Sequence, residues 1–143
     1  MIRLFLFLLL VVALPAAASA QEVLKGTTEA RVTNVLDGDT IRVRARVWLG
    51  QDVSTNVRLM GIDAPALRGK CAAESKLGAE AKAFVEQQLK GKTVMLSQVQ
   101  HDRNPGGVQA QVAMETGQDL AQALVKADFA KPMTTAERPN WCE

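Results

Sequence analysis

A strict alternation of apolar and charged side chains between Thr40 and Val47 limits this chain more than any other feature of its sequence. Apolar residues take every second position and arginines the positions between them, with Ile41, Val43, Ala45 and Val47 on one side and Arg42, Arg44 and Arg46 on the other. A period of two is that of a strand with one buried and one solvated face. The stretch is therefore predicted to be a half-buried strand of a sheet.

Two further strands are predicted beside this one. Residues 30–36 are rich in apolar and β-branched side chains, and the turn Asp37-Gly38-Asp39 joins them to the alternating strand. Glycine suits such a turn because it accepts a positive φ. Residues 56–62 are predicted to form a more buried third strand, which ends where Pro65 removes a backbone donor. Residues 50–54 are expected to be the hairpin loop between the second and third strands.

The period becomes helical after Ala72, with apolar residues every three or four positions up to Leu89, and Gly91 then ends the helix. Strands over 93–99 and 108–114 and a short amphipathic helix over 119–126 are predicted next. Short, mostly antiparallel strands in this order are typical of a small closed barrel. The predicted fold class is α+β, mainly β: a five-stranded OB-fold barrel with two to three helices.

The first 20 residues have the layout of a secretory signal peptide. Arg3 precedes an apolar run from Leu4 to Leu14, and small residues follow up to Ala20. A membrane anchor is the alternative, but the apolar run is shorter than the roughly 18 residues that a spanning helix needs. We therefore expect cleavage after Ala20 and export to the periplasm or out of the cell. The mature chain, 21–143, is predicted to hold one domain and no stable membrane span.

Cys71 and Cys142 are the two cysteines of the sequence, and both lie in the mature part. An even number of cysteines in an exported chain favours a disulfide. The bond would close a loop of about 70 residues and stabilise the fold by roughly 4 kcal/mol in the chain-entropy model. The alternative is a pair of free thiols.

Charge and aromatic content limit the ligands that this chain can bind. A formal net charge of +2 is too small to drive nucleic-acid or membrane binding, so any basic site must be local. Aromatic residues make up 4% of the chain and tyrosine is absent, which leaves few rings for stacking bases. For Arg42, Arg44 and Arg46, a solvated strand face paired with acids is favoured over a phosphate groove. His101 has no metal-ligand spacing and is interpreted as a loop-edge residue.

Two motifs in this order of elements resemble those of the staphylococcal nuclease (thermonuclease) family. The first is Val35-Leu36-Asp37-Gly38-Asp39-Thr40-Ile41. The second is Val57-Arg58-Leu59-Met60-Gly61-Ile62-Asp63-Ala64-Pro65, followed by Leu67-Arg68-Gly69-Lys70-Cys71. The likeness extends from about Thr28 to the Pro139-Asn140-Trp141-Cys142 end.

The resemblance implies calcium-dependent hydrolysis of DNA and RNA phosphodiesters. Asp39 and Asp63 match the carboxylates that bind calcium, the Ala64 backbone carbonyl matches a further ligand, and Asp37 matches an outer-shell carboxylate. Hard oxygen donors of this kind suit calcium. Arg58 matches the arginine that binds the phosphate and stabilises the transition state. The alternative makes Asp37 to Asp39 a hairpin turn, Asp63 a strand-ending cap and Arg58 a solvated residue.

Two of the family's catalytic side chains are missing from this chain, and so is a tyrosine. The family places its general base, a glutamate, where this chain has Ala66, and losing a base lowers rates by about 10²- to 10⁴-fold. The family's second arginine aligns with Gly107 and its tyrosine with Asn104; such arginines contribute roughly 10³- to 10⁵-fold. Neither Glu74, expected to complement the helix N-terminus, nor Arg103 is an obvious substitute.

The sequence therefore predicts an exported, degenerate nuclease, weakly active or inactive, that keeps a binding role. Its expected ligands are nucleic acid or another phosphate-bearing molecule, bound weakly, with residual affinity for calcium. The alternative is an active calcium-dependent nuclease with a rearranged catalytic site, and a purely structural role is a third reading. We expect a monomer.

Overall fold

The computed structural model describes residues 20–104 and 106–143. The predicted signal peptide lies, apart from Ala20, outside the described residues. The elements of the described part are β1 Val23–Val35, β2 Thr40–Trp48, β3 Gln51–Leu59, β4 Ile62–Asp63, α1 Ala72–Leu89, β5 Thr93–His101, β6 Gly107–Ala113, α2 Leu120–Lys126 and β7 Lys131–Pro132. Neither helix in these ranges has the length and apolarity needed to cross a membrane.

Five strands close into a barrel in the order β1-β2-β3-β6-β5. β3 and β6 run parallel, and the other neighbouring strands are antiparallel. The alternating strand turns Ile41, Val43 and Ala45 inward, whereas Val47, predicted on the same side, is exposed because the hairpin has there passed beyond the core. α1 adds Ala81, Val85 and Leu89 from one face. The predicted five-stranded barrel, mainly β with two helices in the described part, is confirmed.

The first hairpin extends further than predicted. Trp48 pairs with Gln51 across a tight turn, so the predicted loop over 50–54 is wrong and β3 begins five residues before position 56. The tip of this hairpin projects beyond the core and is exposed on both faces. Because neither face is buried there, the sequence shows no alternation of apolar and polar residues that would mark a strand. β1 also begins earlier than position 30, because its first half pairs with β5 alone.

The predicted strand over 56–62 is broken in the structure. β3 ends at Leu59, Gly61 turns the chain with a φ of 79°, and β4 pairs with β7 in a separate two-stranded sheet. Two-residue strands are too short to show a period, so this sheet was not predicted. The break directs Asp63 into a fully buried position.

Gly38 is required by close packing and not by a positive φ, which corrects the sequence-based reason for it. The positive-φ glycines of the described residues do not include Gly38. A Cβ at this position would lie 2.7 Å from the Ala81 Cβ and 3.0 Å from the Ala64 Cβ. Helix α1 therefore rests directly on the Asp-Gly-Asp turn and holds it against the end of β4.

The predicted disulfide between Cys71 and Cys142 is confirmed, with the two Cα atoms 6.0 Å apart. Cys71 is also the N-cap of α1, where its sulfur accepts a hydrogen bond from the Glu74 N–H. The bond therefore fixes the C-terminal segment at the start of the helix, beside the loop that follows β4.

Replacing both cysteines with serine is expected to lower the free energy of unfolding by roughly 4 kcal/mol, because the open chain gains loop entropy when it unfolds. Serine at position 71 keeps an oxygen that can cap the helix, so the change isolates the covalent link. Urea unfolding of the mature protein measures the difference. Equal midpoints for the variant and the oxidised protein would contradict the expectation.

Candidate active site

A cleft of about 380 Å³ opens where β2 begins and β4 ends. Its lining includes every residue that the two motifs assign to the metal and the phosphate, and both departures from the family's pattern. The charged side chains of the lining are the carboxylates Asp37, Asp39, Asp63 and Asp102 and the guanidiniums Arg58 and Arg138. The two sequence motifs therefore meet in one site, as their place at adjoining strand ends suggests.

Asp39 is buried at the entrance to β2. Its Oδ2 accepts a hydrogen bond from the Ala64 N–H at 3.2 Å, and its Oδ1 accepts one from the Thr40 hydroxyl at 2.8 Å. The Asp37 carboxylate accepts the Asp39 N–H at 3.0 Å. Burial, followed by repulsion from Asp37, raises the pKa of Asp39 to about 7. The charge of this carboxylate is therefore only partly compensated by its neighbours.

Arg58 projects into the cleft from β3, directly opposite Thr40 in the strand register. Its Nη2 lies 3.7 Å from Asp63 Oδ1 and 4.0 Å from Asp39 Oδ2. Both separations are too long for hydrogen bonds. About a quarter of the side chain is exposed, so its N–H groups remain open to a ligand.

Asp63, which is 1% exposed, is held by two residues from the C-terminal segment. Arg138 Nε donates to Oδ1 at 2.9 Å and its Nη2 donates to Oδ2 at 3.3 Å. The Trp141 indole N–H donates to Oδ2 at 3.0 Å. A buried carboxylate requires this kind of pairing, because an isolated charge in the interior is strongly unfavourable.

Arg138 was missed by the sequence-based reasoning. Beyond Asp63, its Nη2 donates to the Ala64 carbonyl at 3.3 Å and to Glu74 Oε1 at 3.4 Å. Hydrogen bonding to Asp63 raises the pKa of the Arg138 guanidinium further above its ordinary value. One available signal was the disulfide, since joining Cys142 to the start of α1 brings the residues just before it to this loop.

Glu74 clamps the loop between β4 and α1. Its carboxylate accepts the Lys70 N–H at 2.8 Å and the Ala66 N–H at 3.2 Å. These backbone bonds, helped by Arg138, lower the pKa of Glu74 below its usual range. A side chain that is 3% exposed and bonded in this way is a structural acceptor and not a free base.

A family model described as staphylococcal nuclease homologue matches residues 56–141, more than half of the chain. The chain belongs to the staphylococcal nuclease family. The matched region contains Arg58, Asp63, Ala66 and Arg138. No curated protein matches the sequence.

The staphylococcal nuclease family is generally calcium-dependent, and the cleft tests whether this member's residues suit the ion. The expected ligands Asp39, Asp63 and Ala64 do converge. However, both Asp63 oxygens and the Ala64 carbonyl accept hydrogen bonds from Arg138. Asp63 Oδ2 accepts a further hydrogen bond from the Trp141 indole N–H. Within residues 20–104 and 106–143, no three His, Cys, Asp or Glu side chains group as a metal cluster. In this arrangement the oxygen atoms of Asp63 and Ala64 do not fit a calcium ion. The roles of Asp39, Asp63 and Ala64 as calcium ligands stay a prediction.

The two departures from the nuclease pattern lie in the cleft lining. Ala66 presents a methyl group there. A Cβ on Gly107 would lie 2.9 Å from the Asn56 carbonyl oxygen, so an arginine at this position would force β6 away from β3. Arg103 is exposed and is not in the lining. The second guanidinium of the cleft comes from Arg138 instead.

The remaining predicted candidates lie outside the cleft. Arg44 and Arg46 share Asp52 on the exposed face of the barrel, at 2.9 and 3.3 Å, which matches the favoured interpretation of a solvated face paired with an acid. His101 ends β5, and its carbonyl accepts a bond from the Gln21 side chain.

Glu74→Gln is expected to lower stability by roughly 2 kcal/mol at neutral pH, because hydrogen bonds to a charged group are lost. Since the pKa of Glu74 is lowered in the folded protein, its stabilising effect is present above the ordinary glutamate pKa and is lost as pH falls through the folded value. The difference between wild type and variant should therefore shrink on acidification.

Urea unfolding between pH 3 and pH 7 measures this dependence. Glu86→Gln is the control, since Glu86 lies on the same helix, is partly exposed and pairs with Lys82 at 3.9 Å; it should change stability by less than about 1 kcal/mol. A pH-independent effect of Glu74→Gln would contradict the assignment.

Proposed function

We propose that this protein is an exported, catalytically impaired member of the staphylococcal nuclease family that binds nucleic-acid phosphodiesters without hydrolysing them efficiently. The observation that carries this proposal is the absence of a free carboxylate after Pro65. Ala66 stands there, and the nearby Glu74 is fully engaged by backbone N–H groups and Arg138.

Binding is supported by the state of Arg58. Its guanidinium faces the cleft, is partly exposed and makes only long contacts with Asp39 and Asp63. A planar group with open N–H donors suits two oxygens of a phosphodiester. The surrounding carboxylates repel an anion, so the affinity should be low.

The alternative, an active nuclease with a rearranged site, is favoured by one observation. Asp102, which directly follows β5, lines the same cleft as Arg58 and Arg138. The lining thus contains a carboxylate from outside the two motifs quoted above, together with two guanidiniums.

Export is supported by the layout of residues 1–20 and by the disulfide, which suits an oxidising compartment. The proposal places a monomeric mature domain, 21–143, in the periplasm or outside the cell.

The oxidised mature protein should cleave single-stranded DNA at least about 10²-fold more slowly than an active member of the family, because Ala66 stands where the family has its general base. Gel-based cleavage assays with calcium and with EDTA measure this. Asp39→Asn and Asp102→Asn serve as companion variants. Calcium-dependent cleavage that disappears in both would support the alternative instead.

Arg58→Gln should weaken binding of a nucleoside bisphosphate about tenfold, since losing a charge-assisted hydrogen bond is worth about 1.5 kcal/mol. Titration calorimetry in EDTA measures the affinity. Arg44→Gln is the matched control, because Arg44 is exposed and lies outside the cleft; it should leave the affinity unchanged. Equal effects of the two substitutions, or no heat with wild type, would argue against this binding site.

A further inference from the structure

We propose that the Arg138 guanidinium is a built-in cation that fills the divalent-metal position of the cleft, so that the cleft binds calcium only when this side chain is removed. The proposal goes beyond the proposed function, because it requires neither phosphate binding nor catalysis.

The first argument is the set of atoms that Arg138 contacts. It donates to Asp63 Oδ1, Asp63 Oδ2 and the Ala64 carbonyl, at 2.9, 3.3 and 3.3 Å. These oxygens belong to two of the three residues that the family's motifs assign to the metal. Calcium binds through oxygen lone pairs of the same kind, so the ion and the guanidinium compete for the same oxygen atoms.

The second argument is charge. Asp63 is fully buried, and an unpaired carboxylate in that position would be strongly destabilising. Arg58 approaches it only to 3.7 Å, whereas Arg138 forms a two-pronged ion pair with it. Arg138 therefore supplies the positive charge that a bound cation would otherwise supply.

The third argument is that the segment carrying Arg138 is fastened at several points. Trp141 donates to Asp63, and Cys142 is bonded to Cys71. Lys131, from β7, lies over the Trp141 ring at 4.4 Å and donates to the Asn140 carbonyl at 2.8 Å. The segment that carries Arg138 is thus held beside Asp63 by the packing of Trp141 and by a covalent link, and the guanidinium adds its own ion pair.

Terbium luminescence tests the proposal directly, with Tb³⁺ as a probe for calcium. An ion bound at Asp63 would lie close to Trp141, whose indole nitrogen is 3.0 Å from that carboxylate, so excitation of the indole should sensitise it. We expect Arg138→Ala to show sensitised emission that calcium displaces, with an affinity at least tenfold higher than that of wild type. Adding Asp39→Asn to this variant should abolish the signal.

Two arginine variants serve as controls. Arg138→Lys keeps a cation in the cleft and should remain as silent as wild type. Arg103→Ala removes an exposed arginine outside the lining and should leave the emission at the wild-type level.

Unfolding supplies a second readout that does not depend on emission. Arg138→Ala should unfold at a lower urea concentration than wild type in EDTA, and calcium should restore much of the loss, since a ligand that binds the folded state stabilises it. Wild type should show no such shift. If the variant folds only when calcium is present, that requirement also supports the proposal, because calcium then stabilises the folded variant.

Either of two outcomes would overturn the proposal: a wild-type protein that binds terbium or calcium as tightly as Arg138→Ala, or a folded Arg138→Ala protein that binds neither. Both differ from a failure of the proposed function, which is judged from bisphosphate titrations in EDTA.

Discussion

The buried charge of Asp63 is the constraint on which the rest of the site depends. A carboxylate in this position must be balanced by a positive group, and the chain provides one from its own C-terminal segment. The ion pair with Arg138 determines which oxygens are available to a ligand and where the last residues lie. It also explains why Trp141 is buried although it is not part of the barrel's apolar core, since its N–H completes the hydrogen bonding of the same carboxylate.

The barrel was predictable wherever its strands border the core. Ile41 and Val43 alternate with arginines because one side of β2 is packed and the other is solvated, and α1 begins and ends at the predicted residues because its apolar stripe is regular. The tip of the first hairpin was not predictable in this way. Residues such as Val53 lie outside the core, so no burial pattern marks the strand there.

The site likewise contains residues that the sequence predicted and one that it did not. Asp39 and Arg58 were assigned to one site by the resemblance of two short motifs to those of the family, and the strand register, with Thr40 paired to Arg58, brings them together. Arg138 is 75 positions from Asp63, and no local period or motif connects them. Only a long-range link carries such information, and the cysteine pair was the single one visible in the sequence. The family's motifs therefore predicted which residues line the cleft, but they did not predict that Arg138 from the C-terminal segment enters it.

The covalent bond between Cys71 and Cys142 has a consequence for competition between ligands. A group tethered a few residues from its anchor behaves as if it were present at millimolar effective concentration. A dissolved cation competes for Asp63 with this local supply. Opening the bond would lengthen the tether and lower the effective concentration of Arg138 at the carboxylate, so the covalent link favours the guanidinium over a dissolved cation.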